Sequence, residues 1–181
     1  MGKLPAFILV TDKKVANKHR EDKQTTMPSI LIVCTANQCR SPLGEALLRQ
    51  LLHGEEKGTE WQVESAGTWA TDGRSAHPDM CIAAEEAGLD LYHHRARNVD
   101  NVLLSSYDLI LTMEQSHKEA LQIEFPSIRN RVFLLSEMLG VTYDIPDPIG
   151  GPLEDYRTTV KELTRLLKLS LPRITELAQN N

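Results

Sequence analysis

The chain has 181 residues, 41% of them hydrophobic and 25% charged, with a net charge of −5. That is enough chain for the full core of one domain, and the acidic balance argues against a nucleic-acid binder, whose footprint is usually basic. Three cysteines and no recognisable secretory segment point to free thiols in a reducing cytoplasm, and the apolar run 6–10 is too short for a signal core or a membrane span.

Residues 1–28 differ in composition from the rest. Six Lys or Arg against three acids give this stretch +3 and leave −8 for residues 29–181. The reading is a mobile N-terminal extension, with residues 7–10 able to dock on a sheet edge or an apolar groove. A basic membrane anchor is disfavoured because acids interrupt the charge run.

From there strand and helix signals alternate. Residues 30–33 form an apolar strand, and a helix is expected from about Pro42 to Leu52. Residues 61–65 alternate like a strand, and 77–87 read as a helix ended by Gly88. The run 107–113 suits a strand buried on both faces, 116–124 a helix stopped before Pro126, and 131–135 a short strand. Residues 153 to about 171 form a long amphipathic helix that Pro172 kinks or ends. Strands separated by helices predict a single α/β domain over 29–181. It should hold a four-stranded parallel sheet, right-handed crossovers, helices on both faces and a functional loop after the first core strand.

That loop carries the chemistry. Cys34-Thr35-Ala36-Asn37-Gln38-Cys39-Arg40-Ser41-Pro42 joins the first strand to the first helix, with five residues between Cys34 and Arg40. Unpaired N–H groups and the partial positive charge of a helix N-terminus make such a loop a phosphate cradle. The same field favours the thiolate form of a cysteine held in it, and a guanidinium takes two phosphoryl oxygens in a fork. Asn37 is a short amide placed to hold a tight loop, and Ser41 with Pro42 suits a helix start.

The loop resembles the signature of the low-molecular-weight protein tyrosine phosphatases, and the resemblance extends from about Ser29 to Ala178. Supporting blocks are 64–68 (Glu-Ser-Ala-Gly-Thr), 94–97 (His-Arg-Ala-Arg), 108–113 and 144–151, the last containing Asp147-Pro148. The resemblance implies Cys34 as nucleophile, Arg40 and the N–H groups of Thr35 to Arg40 as the phosphoryl cradle, and Asp147 as general acid and then base. A phosphocysteine intermediate and no cofactor are implied too, and the six scattered histidines offer no metal-ligand spacing. Ser41 matches the residue that hydrogen-bonds the departing thiolate, with a helix N-cap as the compatible alternative. Asn37, Ser65 and His94 match a network that locks the loop, and Cys39 matches a partner for a reversible disulfide with Cys34. Asp144 is read as a turn former, and Cys81 as a buried, inert thiol.

Substrate choice stays open between two readings. Tyrosine-specific members tend to carry an aliphatic residue where Gln38 stands and aromatics after the Asp-Pro pair. The Ile149-Gly150-Gly151 segment instead resembles the protein arginine phosphatase branch, which usually has Thr at the Gln38 position. Phosphotyrosine is the first expectation and phosphoarginine the alternative. A thioredoxin-coupled arsenate reductase would need further cysteines, and none follows Cys81; a catalytically dead binding module would be expected to lose Cys34, Arg40 or Asp147. The expected partner is a phosphorylated protein, with no nucleic acid or membrane, and the expected state a monomer or weak dimer.

Overall fold

The structure, a computed structural model, describes residues 27–54 and 60–180. The extension up to residue 26, including the proposed docking run 7–10, lies outside the described residues. Four strands, β1 (Ser29–Cys34), β2 (Gln62–Gly67), β3 (Leu109–Thr112) and β4 (Val132–Leu134), form one sheet in the order β2-β1-β3-β4. All neighbours are parallel, with Ile32 opposite Ser65 and Leu111, and Cys34 opposite Gly67.

The alternation of β1 divides the interior. Ile30 and Ile32 point into a cluster with Leu43, Leu47, Met80, Leu163 and Ile174, built by α1 (Arg40–Gly54), α2 (Pro78–Glu86) and α5 (Leu153–Asn180). Leu31 and Val33 point into a second cluster with Leu104, Tyr107, Ile110, Leu121 and Ile128, built by α3 (Asn101–Ser105) and α4 (Gln115–Glu124). A strand buried on both faces reads as a continuous apolar run, which is why residues 30–33 show no polar alternation. The expected four-stranded sheet with helices on both faces is therefore present.

Three features depart from the sequence reading. Helix α5 runs through Pro172 to Asn180 and does not end there. A proline inside a helix costs about 3 kcal/mol, but Leu167 and Leu171 before it and Ile174 and Ala178 after it are all buried on one face, so packing outweighs the lost hydrogen bond. Helix α3 was not expected; at five residues it is too short for a periodic signal, although Asp100 caps it by accepting from the Leu103 N–H at 2.7 Å. Helix α1 begins at Arg40, two residues before the expected start.

At the sheet's carboxyl edge β2 is held close to the loop after β1. A Cβ on Gly67 would stand 2.4 Å from the Thr35 carbonyl oxygen and 2.9 Å from the Asn37 nitrogen, and both are backbone atoms that cannot swing away. Gly67→Ala should lower stability by about 1–3 kcal/mol, as overpacking does, and should weaken orthophosphate inhibition as well. Denaturant unfolding and phosphate inhibition measured on the same variant check both.

Candidate active site

Residues 35–39 connect the end of β1 to the start of α1, and the turn rests on Asn37, which has φ of +53°. Asparagine tolerates this left-handed conformation better than most residues with a side chain. Its side chain then ties the loop down from behind. Nδ2 donates to Ser41 Oγ at 2.8 Å and Ser65 Oγ at 2.9 Å, while Oδ1 accepts from the Arg97 N–H at 2.9 Å. The Asn37 carbonyl accepts from His94 Nε2 at 2.7 Å, which fixes the proton of that ring on Nε2. Burial is the main influence on His94 and lowers its pKa, which keeps the ring a neutral donor. Ser65 Oγ in turn donates to Glu45 at 2.6 Å. The structure thus brings Asn37, Ser41, Ser65 and His94 into one hydrogen-bonded set, and adds Glu45 and Arg97.

Cys34 is buried, with its Sγ 3.0 Å from Ser41 Oγ, which also lies 3.2 Å from the Ala66 carbonyl oxygen. Ser41 is inside α1, so the N-cap alternative for it is corrected: the helix starts one residue earlier, and the hydroxyl faces the cysteine instead. Cys39 is buried too. Burial first, then the charges of Asp147 and Cys34, push its thiol well up, so it stays protonated. Ala36 and Gln38 are half-buried, and the Gln38 carbonyl accepts from the His77 N–H at 2.9 Å. Cys81 is buried in α2, with its pKa raised chiefly by burial.

Arg40 is completely buried, and its charge is met by carboxylates from two distant segments. Nη1 donates to Glu114 and, at 2.8 Å, to the Ile145 carbonyl; Nη2 donates to Asp147 Oδ2 at 2.5 Å. Burial alone would raise the Glu114 pKa, but the Arg40 hydrogen bond and charge hold that carboxyl below the usual range. Arg40 Nε is buried with no protein partner. Asp147 is fixed from its other side by the Ile149 N–H, which donates to Oδ1 at 3.2 Å. Asp144 is not the turn former expected from sequence: its carboxylate accepts from the Gln115 N–H at 2.7 Å, so it serves one of the unpaired donors at the start of α4. Glu114 and His117 were missed, since neither belongs to a local motif.

A family model described as low molecular weight phosphotyrosine protein phosphatase matches residues 29–180. The chain belongs to this family. The protein-arginine-phosphatase of Bacillus subtilis (strain 168) is 36% identical over 140 residues, covering 77% of this chain and 91% of that protein. The low molecular weight protein-tyrosine-phosphatase Wzb of Escherichia coli (strain K12) is 40% identical over 137 residues, covering 76% and 88%. Among solved structures, a YwlE mutant from Bacillus subtilis superposes with a TM-score of 0.76 at 34% identity, covering 82% of this chain and 98% of that one. Wzb from Escherichia coli K30 in complex with sulphate gives 0.74 at 34% identity, covering 82% and 99%. As a family member the protein is a hydrolase acting on phosphorylated proteins. Among the described residues no helix is long and apolar enough to cross a membrane.

The loop's dependence on Asn37 gives a clean test. Asn37→Ala strips partners from Ser41, Ser65 and the Arg97 amide and also leaves a side chain in the left-handed region. A loss of about 3 kcal/mol is expected from several buried groups left unpaired. Asn37→Gly, freed of the backbone penalty, should recover about 1 kcal/mol of it. Denaturant midpoints of the two variants measure both amounts.

Proposed function

We propose that the protein hydrolyses phosphotyrosine in proteins through a phosphocysteine intermediate, with residues 29–181 as the catalytic domain. The observation that carries this reading is Arg40: its buried Nε, without a protein partner, lies on the loop that also holds Cys34. A guanidinium donor left unpaired in the interior is costly unless an oxyanion takes it. Arg40 Nε, with Nη2 and the N–H groups of Thr35, Ala36, Asn37, Gln38, Cys39 and Arg40, is the set we assign to the phosphoryl oxygens.

Cys34 sulfur attacks phosphorus in line and forms a P–S bond as the P–O bond to the tyrosine oxygen breaks. Asp147 delivers a proton to that leaving oxygen. Water then attacks the phosphocysteine, Asp147 takes the water's proton, and the P–S pair returns to Cys34 with the Ser41 hydroxyl stabilising the departing sulfur. The side chains of Asn37, Ser65 and His94 keep the loop in shape and touch no reacting atom. Trp69 supports an aryl substrate. Its backbone N–H donates to the Thr35 carbonyl at 2.9 Å and the residue is 84% exposed, so an accessible aromatic side chain is anchored next to the loop.

A second reading, phosphoarginine, is favoured by the Ile149-Gly150-Gly151 segment after Asp147-Pro148, which places no aromatic ring there, and by the arginine-phosphatase relatives. For Cys39 we propose a redox role. Peroxide oxidises Cys34 to the sulfenic acid with release of water, and the Cys39 thiol displaces a second water to give a Cys34–Cys39 disulfide. The three buried cysteines are unbridged, and a reducing cytoplasm would keep them so.

Initial rates on paired phosphotyrosine and phosphoarginine peptides should favour phosphotyrosine; a reversed preference selects the second reading. Asp147→Asn should lose about 10² to 10⁴ in rate on phenyl phosphate, and less on p-nitrophenyl phosphate, whose leaving group needs no proton. Asp144→Asn should change both little. Loss confined to Asp144→Asn would displace the acid from Asp147.

A further inference from the structure

Helix α4 begins at the site, and two polar residues at its start, Glu114 and His117, turn toward the loop. Glu114 stands at the N-cap position in an extended conformation, and its side chain makes no cap hydrogen bond; it reaches Arg40 instead. Three residues on, His117 is buried on the same side, with Nε2 2.9 Å from Thr35 Oγ1. Its Nδ1 is buried without any partner. The backbone of Thr35 is already fixed by the Trp69 N–H, and its hydroxyl lies 3.5 Å from Arg40 Nη2 as well. The Thr35 hydroxyl therefore sits between the imidazole and the guanidinium.

We propose that His117 is a positioning residue that must be neutral: through Thr35 Oγ1 it sets the first residue of the phosphate-binding loop, and its protonation draws Glu114 away from Arg40. The inference rests on the phosphatase reading of the loop. A neutral imidazole can accept at Nε2 from the Thr35 hydroxyl, which then has lone pairs free for Arg40 Nη2. An imidazolium has no acceptor. It can only donate to Thr35, and it adds a positive charge 4.0 Å from the Glu114 carboxylate that holds Arg40.

The groups that face the ring are Glu114 at the start of its own helix, Arg40 from α1, and Asp144 and Asp147 from the segment before α5. The acids favour the charged form and Arg40 opposes it. Burial is the largest influence, and the net direction is downward. The working form is thus the neutral ring, present above the lowered pKa and lost as pH falls through it.

The expected signature is a protonation on the acidic side of the kcat/KM profile that belongs to neither nucleophile nor general acid. His117→Gln keeps a polar amide near Thr35 without a titrating ring; His117→Phe keeps the volume and removes the hydrogen bond. For His117→Phe, the orthophosphate inhibition constant at neutral pH should rise about tenfold, the effect of one lost hydrogen bond to a placed group, with an unchanged melting temperature. His117→Gln should restore phosphate inhibition to near the wild-type value and flatten one protonation of the acidic limb with p-nitrophenyl phosphate. Wild-type inhibition by phosphate in His117→Phe, or an unaltered acidic limb in His117→Gln, overturns the proposal. A wild-type protein that fails to turn over p-nitrophenyl phosphate overturns the phosphatase reading instead. Direct titration of orthophosphate into the wild-type protein and both variants reads His117's part in shaping the cradle in either case.

Discussion

A guanidinium with no exposed surface is the constraint on which the site is built. Moving a charge of this kind out of water costs several kcal/mol unless opposite charge and hydrogen bonds surround it. Here Glu114 lies 74 residues from Arg40 and Asp147 lies 107 away, and the Ile145 carbonyl completes the set. Because none of these partners is local, the ion cluster forms only when β3, α4 and the segment before α5 are already docked on α1. The same contacts that compensate the charge therefore bring the proposed acid onto the arginine that follows the nucleophile's loop. Fold and site share one electrostatic condition.

The loop around Cys34 meets a different constraint, one of shape. A left-handed Asn37 and a Gly67 without a side chain let the loop occupy the space that a Cβ at residue 67 would fill. The turn is then secured by groups from α1, β2 and the segment before α3, side chains of Ser41, Ser65 and His94 and the Arg97 backbone N–H, all converging on Asn37. Buried polar networks of this kind stabilise one arrangement only when every member is satisfied. Asn37 meets that condition, with both side-chain atoms and its carbonyl in use.

This division explains what could be read from sequence. Cys34, Arg40 and Ser41 fall within eight residues, so their pattern is local, and the sheet order follows from strands interleaved with helices. Asp147 was legible because proline follows it. Glu114 and His117 were not, because an acid and a histidine at a helix start read equally well as caps and surface groups; only the packing of α4 against the loop turns them inward. Asp144 was misread for a related reason. The run Asp144-Ile145-Pro146-Asp147-Pro148 has the composition of a turn, whereas the donor Asp144 serves, the Gln115 N–H, belongs to a helix start 29 residues earlier. Pro172 shows the same limit in the core, since a local breaker is overridden by apolar residues on both sides of it.

The geometry of the guanidinium itself reconciles binding with stability. Arg40 uses Nη1 for Glu114 and the Ile145 carbonyl, contacts that hold elements together, while Nε has no protein partner and Nη2 is shared with Asp147 and, weakly, Thr35. One edge of the fork thus supports the fold, and the other is left for an incoming oxyanion. An ammonium has no such edges: its three donors radiate from a single atom, so a ligand would have to compete with the structural carboxylate for the same centre. A phosphoryl group that takes Nε and Nη2 displaces at most Asp147, and Asp147 is the group we propose as the acid, which must be free to face the leaving oxygen. Binding and release of the acid would then be one event, with the Arg40–Glu114 contact undisturbed.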